Sequence, residues 1–306
     1  MMKMSLKYLA VLALPAMSLL QPNAASAWTQ HIDCEGGTVG AKVAQATPNS
    51  FTNSFTGTVY SKTQVGSGAD SCQMSIPQGS DGWGVWGGIY QFPTHATAGS
   101  QVWYRVSVFV PSGFNYTGSP MLKFMRVHTA SPSSQNQGYL DFYINPPTGT
   151  VWDSSLKKDV SAPYQFYYEG HPTPHTLGVR PTNNIAFGKW ETYEVNYHLD
   201  TTSKSQGGTG EVLIWKNNQL LADLTDQVTL ADAATYAESI YLFTYWNGTA
   251  PATQSLYVDD IVVTTDTPAN RDAAGHPYIG LAVPGGTSTG STAPVLPDPP
   301  ANVTVQ

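Results

Sequence analysis

Apolar and polar residues alternate along much of this chain with the period of two that marks a β-strand with unlike faces. From Gln101 to Pro111, Val102, Tyr104, Val106, Val108 and Val110 point one way, and Trp103, Arg105, Ser107 and Phe109 the other. From Trp190 to Asp200, Tyr193, Val195, Tyr197 and Leu199 oppose Glu194, Asn196 and His198. Glu211–Lys216, Ile240–Trp246 and Ser255–Thr265 read as further strands, and Asn217-Asn218 as a turn into Gln219–Leu221. Clusters of Gly, Pro, Asn and Ser separate them, as antiparallel connections require. Only Leu230–Glu238 reads as a helix, and it is short. The pattern predicts an all-β chain folded as two packed antiparallel sheets, one of them curved with a polar-aromatic concave face.

Lys123–Asn145 departs from a plain core pattern. Its second half sets Leu140, Phe142 and Ile144 on one face and Tyr139, Asp141 and Tyr143 on the other. Its first half, LKFMRVH, puts Arg126 and His128 on a shared face and Lys123 on the opposite one unless a bulge intervenes. Aromatic faces stack on sugar rings while carboxylates, cations and hydroxyls bond their edges. The segment reads equally as a wall for a sugar chain and as an ordinary half-exposed strand.

Composition narrows the class. Charged residues make up 11% of the chain, against 17 Tyr and 8 Trp. With a net charge of −7 the chain lacks the basic footprint of a nucleic-acid binder, although a local Lys/Arg cluster can still govern an anionic polysaccharide. Residues 1–27 form an export signal: Lys3 and Lys7, an apolar run from Tyr8 to Leu20, then Ala25-Ser26-Ala27 as the cleavage site. That run is too short to span a bilayer, so a secreted protein beginning at Trp28, with no membrane partner, is expected. Cys34 and Cys72 fit an oxidising compartment as a disulfide. Residues 28–281 would form the folded domain. Residues 282–306 have linker composition and end in what reads as the opening strand of a fibronectin type III module.

Several motifs match by chance. Gly286-Thr287-Ser288-Thr289-Gly290 lies in the linker, without the strand and helix of a nucleophile elbow. The Gly82–Gly87 stretch spells a dinucleotide fingerprint, yet no helix follows. His171 and His175 are four apart with prolines between them, which makes a loop rather than a helical metal pair. The Glu-x-Asp-x-x-Glu strand of jelly-roll β-glucanases is absent.

The order of Gly87–Pro93, VWYRVSVFVPSGFNY, LKFMRVH, FGKWETYEVNYHLDT, GTGEVLIWKNNQLL, YLFTYWNG and SLYVDDIVVTTD resembles the concanavalin A-like jelly-roll polysaccharide lyases. That group includes glucuronan, heparin and some alginate lyases, and the likeness runs from Trp83 to Asp266. The Gln-Ile-His and Tyr-Phe-Lys-Ala-Gly strands of the best-known alginate lyases are missing. The resemblance implies an antiparallel jelly-roll sandwich that cleaves a uronate polysaccharide by β-elimination. Arg126 or Lys123 would neutralise the carboxylate, His128 act as base and Tyr143 as acid; Lys123 matches a lysine found after the Pro-x-Gly-Phe turn in relatives. Arg105, Tyr139, Asp141, Tyr168, His171, His175, Tyr245 and Trp246 would bind substrate. No cofactor is needed for that chemistry, and a monomer is expected. If the terminal strands pair, Asp33, Glu35, Asp259 and Asp260 would meet around a structural calcium ion. Two alternatives stay open: a carbohydrate-binding module without chemistry, and a glycoside hydrolase using Asp141 and Glu194.

Overall fold

Period-two patterning gives strands everywhere it was read. The computed structural model describes residues 27–43, 49–116, 122–145, 150–153, 157–161, 165–170, 175–176 and 184–281. The expected export signal, residues 1–27, lies outside them except for its last residue, and the expected tail from residue 282 lies outside them too. In chain order the strands are β1 (Thr29–Ile32), β2 (Asn53–Ser54), β3 (Thr58–Ser61), β4 (Ser71–Ile76), β5 (Gly88–Ala96), β6 (Gln101–Phe109) and β7 (Leu122–Ala130). Then come β8 (Asn136–Asn145), β9 (Thr150–Asp153), β10 (Lys158–Ser161), β11 (Gln165–Glu169), β12 (His175–Thr176) and β13 (Trp190–His198). The last are β14 (Glu211–Lys216), β15 (Gln219–Leu224), β16 (Tyr236–Trp246), β17 (Gln254–Thr264), β18 (Asn270–Arg271) and β19 (Pro277–Tyr278).

These strands build an antiparallel β-sandwich of the jelly-roll kind. One sheet has eight strands, ordered β15-β14-β13-β6-β17-β4-β3 with β1 beside β17. The other has seven, ordered β12-β11-β8-β7-β16-β5-β2. Their inner faces supply the core: Val102, Tyr104, Val106, Tyr193, Val195 and Tyr197 from the first meet Phe124, Val127, Leu140, Phe142, Ile240 and Leu242 from the second. Contact across the layers is direct. The Phe124 and Tyr193 rings meet edge to face at 5.1 Å, and the Tyr197 hydroxyl donates to the Leu140 carbonyl. Asn217 and Asn218, both at positive φ, make the tight turn between β14 and β15, an αL pair that asparagine tolerates.

The expected helix at Leu230–Glu238 does not form. Asp232 Oδ1 accepts the amides of Ala234 and Thr235 and the Thr235 hydroxyl, closing a turn, and Tyr236 already opens β16. A short acidic side chain that captures nearby amides competes with helical bonds.

The chain's own segment at Pro277–Gly280 lies over part of the outer face of the eight-stranded sheet, across β6 and β13. Arg105 donates from Nη1 to the Gly280 carbonyl (2.8 Å) and from Nη2 to that of Asp260 (3.0 Å). Glu194 accepts the amides of Ile279 (2.6 Å) and Gly280 (3.0 Å), and Trp103 Nε1 donates to the Pro277 carbonyl. Burial pushes Glu194 up to about 7, opposed by those two amides and by Arg105. Arg105, expected to bind substrate, is therefore a fastening for this strap, on the opposite sheet from Arg126 and His128. Glu194 is sealed beneath the same strap, so it cannot pair with Asp141 on the other sheet as a hydrolase would require.

Cys34 and Cys72 are joined in a disulfide that ties the segment after β1 to β4. Closing that loop contributes roughly 4 kcal/mol in the chain-entropy model. β1 does pair with β17, yet the four acids near their ends are not gathered. The loop from Gly66 to Asp70 stands between them and takes their oxygens. Asp259 Oδ2 accepts the amides of Gly66 and Ser67, Asp260 Oδ1 accepts the Ser67 hydroxyl, and Glu35 Oε1 accepts the amides of Ala69 and Asp70. Asp33 holds the Glu35 amide and the Asn49 side chain. Among the described residues no three His, Cys, Asp or Glu side chains are grouped to hold a metal ion, and the four acids expected to hold calcium bond the protein's own amides, hydroxyl and carboxamide.

Candidate active site

The site is a grid of side chains on the outer face of β8, β7 and β16. Residues opposite one another in an antiparallel sheet share a face, so the register defines the rungs. Tyr143, Lys123 and Tyr245 form one; Asp141, Arg126 and Tyr241 the next; Tyr139, His128 and Ser239 the third.

Lys123 reaches this face through a bulge. Lys123 stands opposite Tyr143 while Met125 stands opposite Phe142, leaving Phe124 as an extra residue. Phe124 and Met125 both turn into the core, where Phe124 packs on Phe243 at 4.6 Å. Two inward residues in succession bring Lys123 and Arg126, three apart, to one side. β16 is bulged at the same level, with Phe243 at φ 49°.

Asp141 holds both cations. Lys123 Nζ donates to its Oδ2 at 2.6 Å and Arg126 Nε to its Oδ1 at 2.7 Å, with all three side chains buried. Aromatic rings complete the enclosure. The Arg126 guanidinium lies 3.8 Å over Tyr139 and 5.8 Å from Tyr241, and Lys123 Nζ 4.4 Å over Tyr143. Such contacts keep the cations ordered where little water reaches. Asp141 engages Arg126 at Nε, so the Nη atoms lie outside that bond.

His128 is bracketed by two oxygens. Nδ1 lies 2.9 Å from Glu238 Oε1, and Nε2 lies 3.2 Å from Asn136 Oδ1, which also accepts the Gly138 amide at 2.7 Å. Because the Gly138 amide identifies Oδ1 as an acceptor, both ring nitrogens face acceptors. A ring that has taken up a second proton donates to both. Burial, the largest cause, raises Tyr241 to about 12, with Tyr139 adding to the shift and Arg126 opposing it. Tyr139 is raised for the same first reason. At neutral pH both phenols carry their protons.

The structure thus brings together Lys123, Arg126, His128, Tyr139, Asp141 and Tyr143, and the register sets half-buried Tyr245 beside them. Trp246 belongs elsewhere. It is fully buried and stacked on Phe114, because it follows outward-facing Tyr245 and so shares the inward phase of Ile240 and Leu242. His171 lies outside the described residues, as do the side chains of Tyr168 and His175; the register sets Tyr168 opposite Phe142. Sequence reasoning missed Glu238, Asn136, Tyr241 and Trp83. Glu238 sits in the irregularity between Ala237 and Ser239, where no pattern points, and Tyr241 was read only as part of an apolar strand. Trp83 stacks on Tyr241 at 5.8 Å from a loop that looked like a chance glycine motif.

No family model and no curated protein sequence matches this chain. Among solved structures it is similar to alginate lyase Aly36B, at 15% identity and a TM-score of 0.55, over 77% of this chain and 96% of that one. A variant of Aly36B in complex with an alginate trisaccharide aligns at 14% identity and 0.54, over 77% and 97%. The PL-14 alginate lyase from Aplysia kurodai aligns at 12% identity and 0.51, over 79% and 100%. Likeness at this level of identity establishes the shared sandwich fold.

Proposed function

We propose that this protein is an exported polysaccharide lyase that cleaves a uronate-containing polysaccharide by β-elimination. The observation that carries the reading is the buried array itself: two cations fixed by one carboxylate, beside an oxygen-bracketed histidine and protonated phenols. The fold it shares with alginate lyases supports the reading. The disulfide fits export, and among the described residues no helix is long and apolar enough to cross a membrane.

Elimination requires three things of the protein. The proton on the carbon next to the uronate carboxylate must be removed, the developing negative charge neutralised, and the departing glycosidic oxygen protonated. Arg126, through its Nη atoms, and Lys123 stabilise the carboxylate as charge builds on it. His128 takes the proton on Nε2. Nε2 faces Asn136 Oδ1 in the resting site, so substrate takes the place of that carboxamide as the proton moves, while Glu238 on Nδ1 stabilises the imidazolium that forms, in the manner of a catalytic triad. Tyr143 supplies the proton to the leaving oxygen, with Tyr139 and Tyr241 as neighbouring donors. The carbon–oxygen bond breaks as the carbon–carbon double bond forms, leaving an unsaturated uronate on one fragment and a hydroxyl on the other.

Incubation with alginate, polyglucuronate, heparin and a neutral glucan tests this, read by absorbance of the unsaturated uronate and by reducing ends. The lyase reading requires new absorbance with at least one uronate polymer. New reducing ends without absorbance would replace it with hydrolysis, and retention without either product would leave a binding module.

A further inference from the structure

Resting on the lyase reading, we propose that Trp83 is a stacking subsite for a sugar ring of the same polysaccharide, one step along the chain from the reacting unit. Trp83 is 53% exposed. Its indole lies nearly parallel to Tyr241, 5.8 Å away with 17° between planes, and Phe55 flanks it at 5.7 Å. Tyr241 in turn meets Tyr139 edge to face at 5.5 Å and stands opposite Arg126. An aromatic path thus runs from the solvent-facing indole into the charged cluster.

The loop presenting Trp83 is built to hold it still. Gly82 and Gly84 flank it at φ 102° and 80°, conformations open to glycine at little cost. A Cβ on Gly82 would strike the ring of buried Trp86 at 2.6 Å. The Trp246 amide donates to the Asp81 carbonyl (2.7 Å), the Val85 amide to that of Gly82 (2.8 Å), and the Ala250 amide to that of Ser80 (2.9 Å). An exposed indole on a mobile loop would lose conformational entropy on binding; this one is already ordered. Its flat apolar face suits the C–H face of a pyranose, whatever carboxylate the ring carries.

Affinity electrophoresis in gels containing alginate or polyglucuronate tests the assignment, with elimination measured alongside. Trp83→Ala should bind the retarding polymer about five- to tenfold more weakly, the size of one aromatic stack. Trp83→Phe should retain most of the retardation, and an unchanged near-ultraviolet dichroism outside the lost indole should show that the fold is kept. The deficit in Trp83→Ala should grow with oligosaccharide length, which a structural role would not produce. If wild type and Trp83→Ala are retarded equally while both eliminate, the subsite is wrong and the lyase reading stands. If wild type never eliminates yet is retarded through Trp83, the lyase reading fails and the stacking site survives. A wild type neither retarded nor active overturns both.

Discussion

The two outer faces of the sandwich each carry a buried arginine beside a buried carboxylate, and they put them to different uses. Arg105 and Glu194 grip backbone atoms of Ile279, Gly280 and Asp260, fastening the chain's own strap across the eight-stranded sheet. Arg126 and Asp141 grip each other, with Lys123 as third member and aromatic rings around them. A side chain bonded to main-chain atoms closes the fold. A side chain held by other side chains, with donor atoms outside the bond, is positioned for something that is not part of the chain. That contrast, rather than residue type, is what gives the two arginines different roles in the proposed reading.

The largest expected effect sets the two arginines apart. Arg126→Ala should lower the elimination rate by roughly 10²–10³, the usual cost of losing one charge-stabilising donor. Arg105→Ala should leave elimination per folded molecule near wild type while lowering unfolding stability by on the order of 3 kcal/mol, since charge-assisted bonds to buried carbonyls are lost. Equal kinetic damage from both substitutions would erase the contrast. Next in size, His128→Ala should reduce kcat by on the order of 10²-fold, and Glu238→Gln by roughly tenfold, because the amide stabilises the imidazolium less than the carboxylate does. Both should act on kcat more than on KM; a change confined to KM would move His128 from base to binding residue.

The smallest effect is a pH dependence belonging to the strap face. Glu194 is raised by burial from 4.5 to about 7, and Asp259 by burial and the nearby Asp260 from 3.8 to about 7. Folding therefore favours their protonated forms. Their contribution is fully present below the unfolded values and is lost as pH rises through about 7. Denaturant midpoints should fall between about pH 5 and about pH 8, and Glu194→Gln should flatten part of that slope. A wild-type midpoint that rises across this window would contradict the assignment.

Much of the architecture was legible, because alternation reports burial directly. The inward sets on β6, β13 and β8 were read correctly, as were the Asn217-Asn218 turn and the cysteine pair. Arg126, His128, Tyr139, Asp141 and Tyr143 could be grouped from strand phase alone. What stayed hidden depends on pairing. Arg105 and Arg126 look alike in their strands, and only the arrival of residues 277–280, distant in sequence, distinguishes them. Trp246 was grouped with its neighbour Tyr245 as a binding residue, although adjacent strand residues face opposite ways and Trp246 shares the inward phase of Ile240 and Leu242. The Leu230–Glu238 segment has helical residues, but Asp232 captures the amides a helix would need.

The bulge at Phe124 lets Lys123 and Arg126 share a face although an odd number of positions separates them. Changing the side chain at Phe124 alters packing but cannot alter which way Lys123 points. Removing the residue would leave simple alternation, with Met125 alone turned inward between Lys123 and Arg126, so Lys123, Arg126 and His128 would keep the outer face and Leu122 the core. The bulge acts as a compensating insertion does in a reading frame: one unpaired residue is taken up by the core, and the side chains on both sides of it stay in phase.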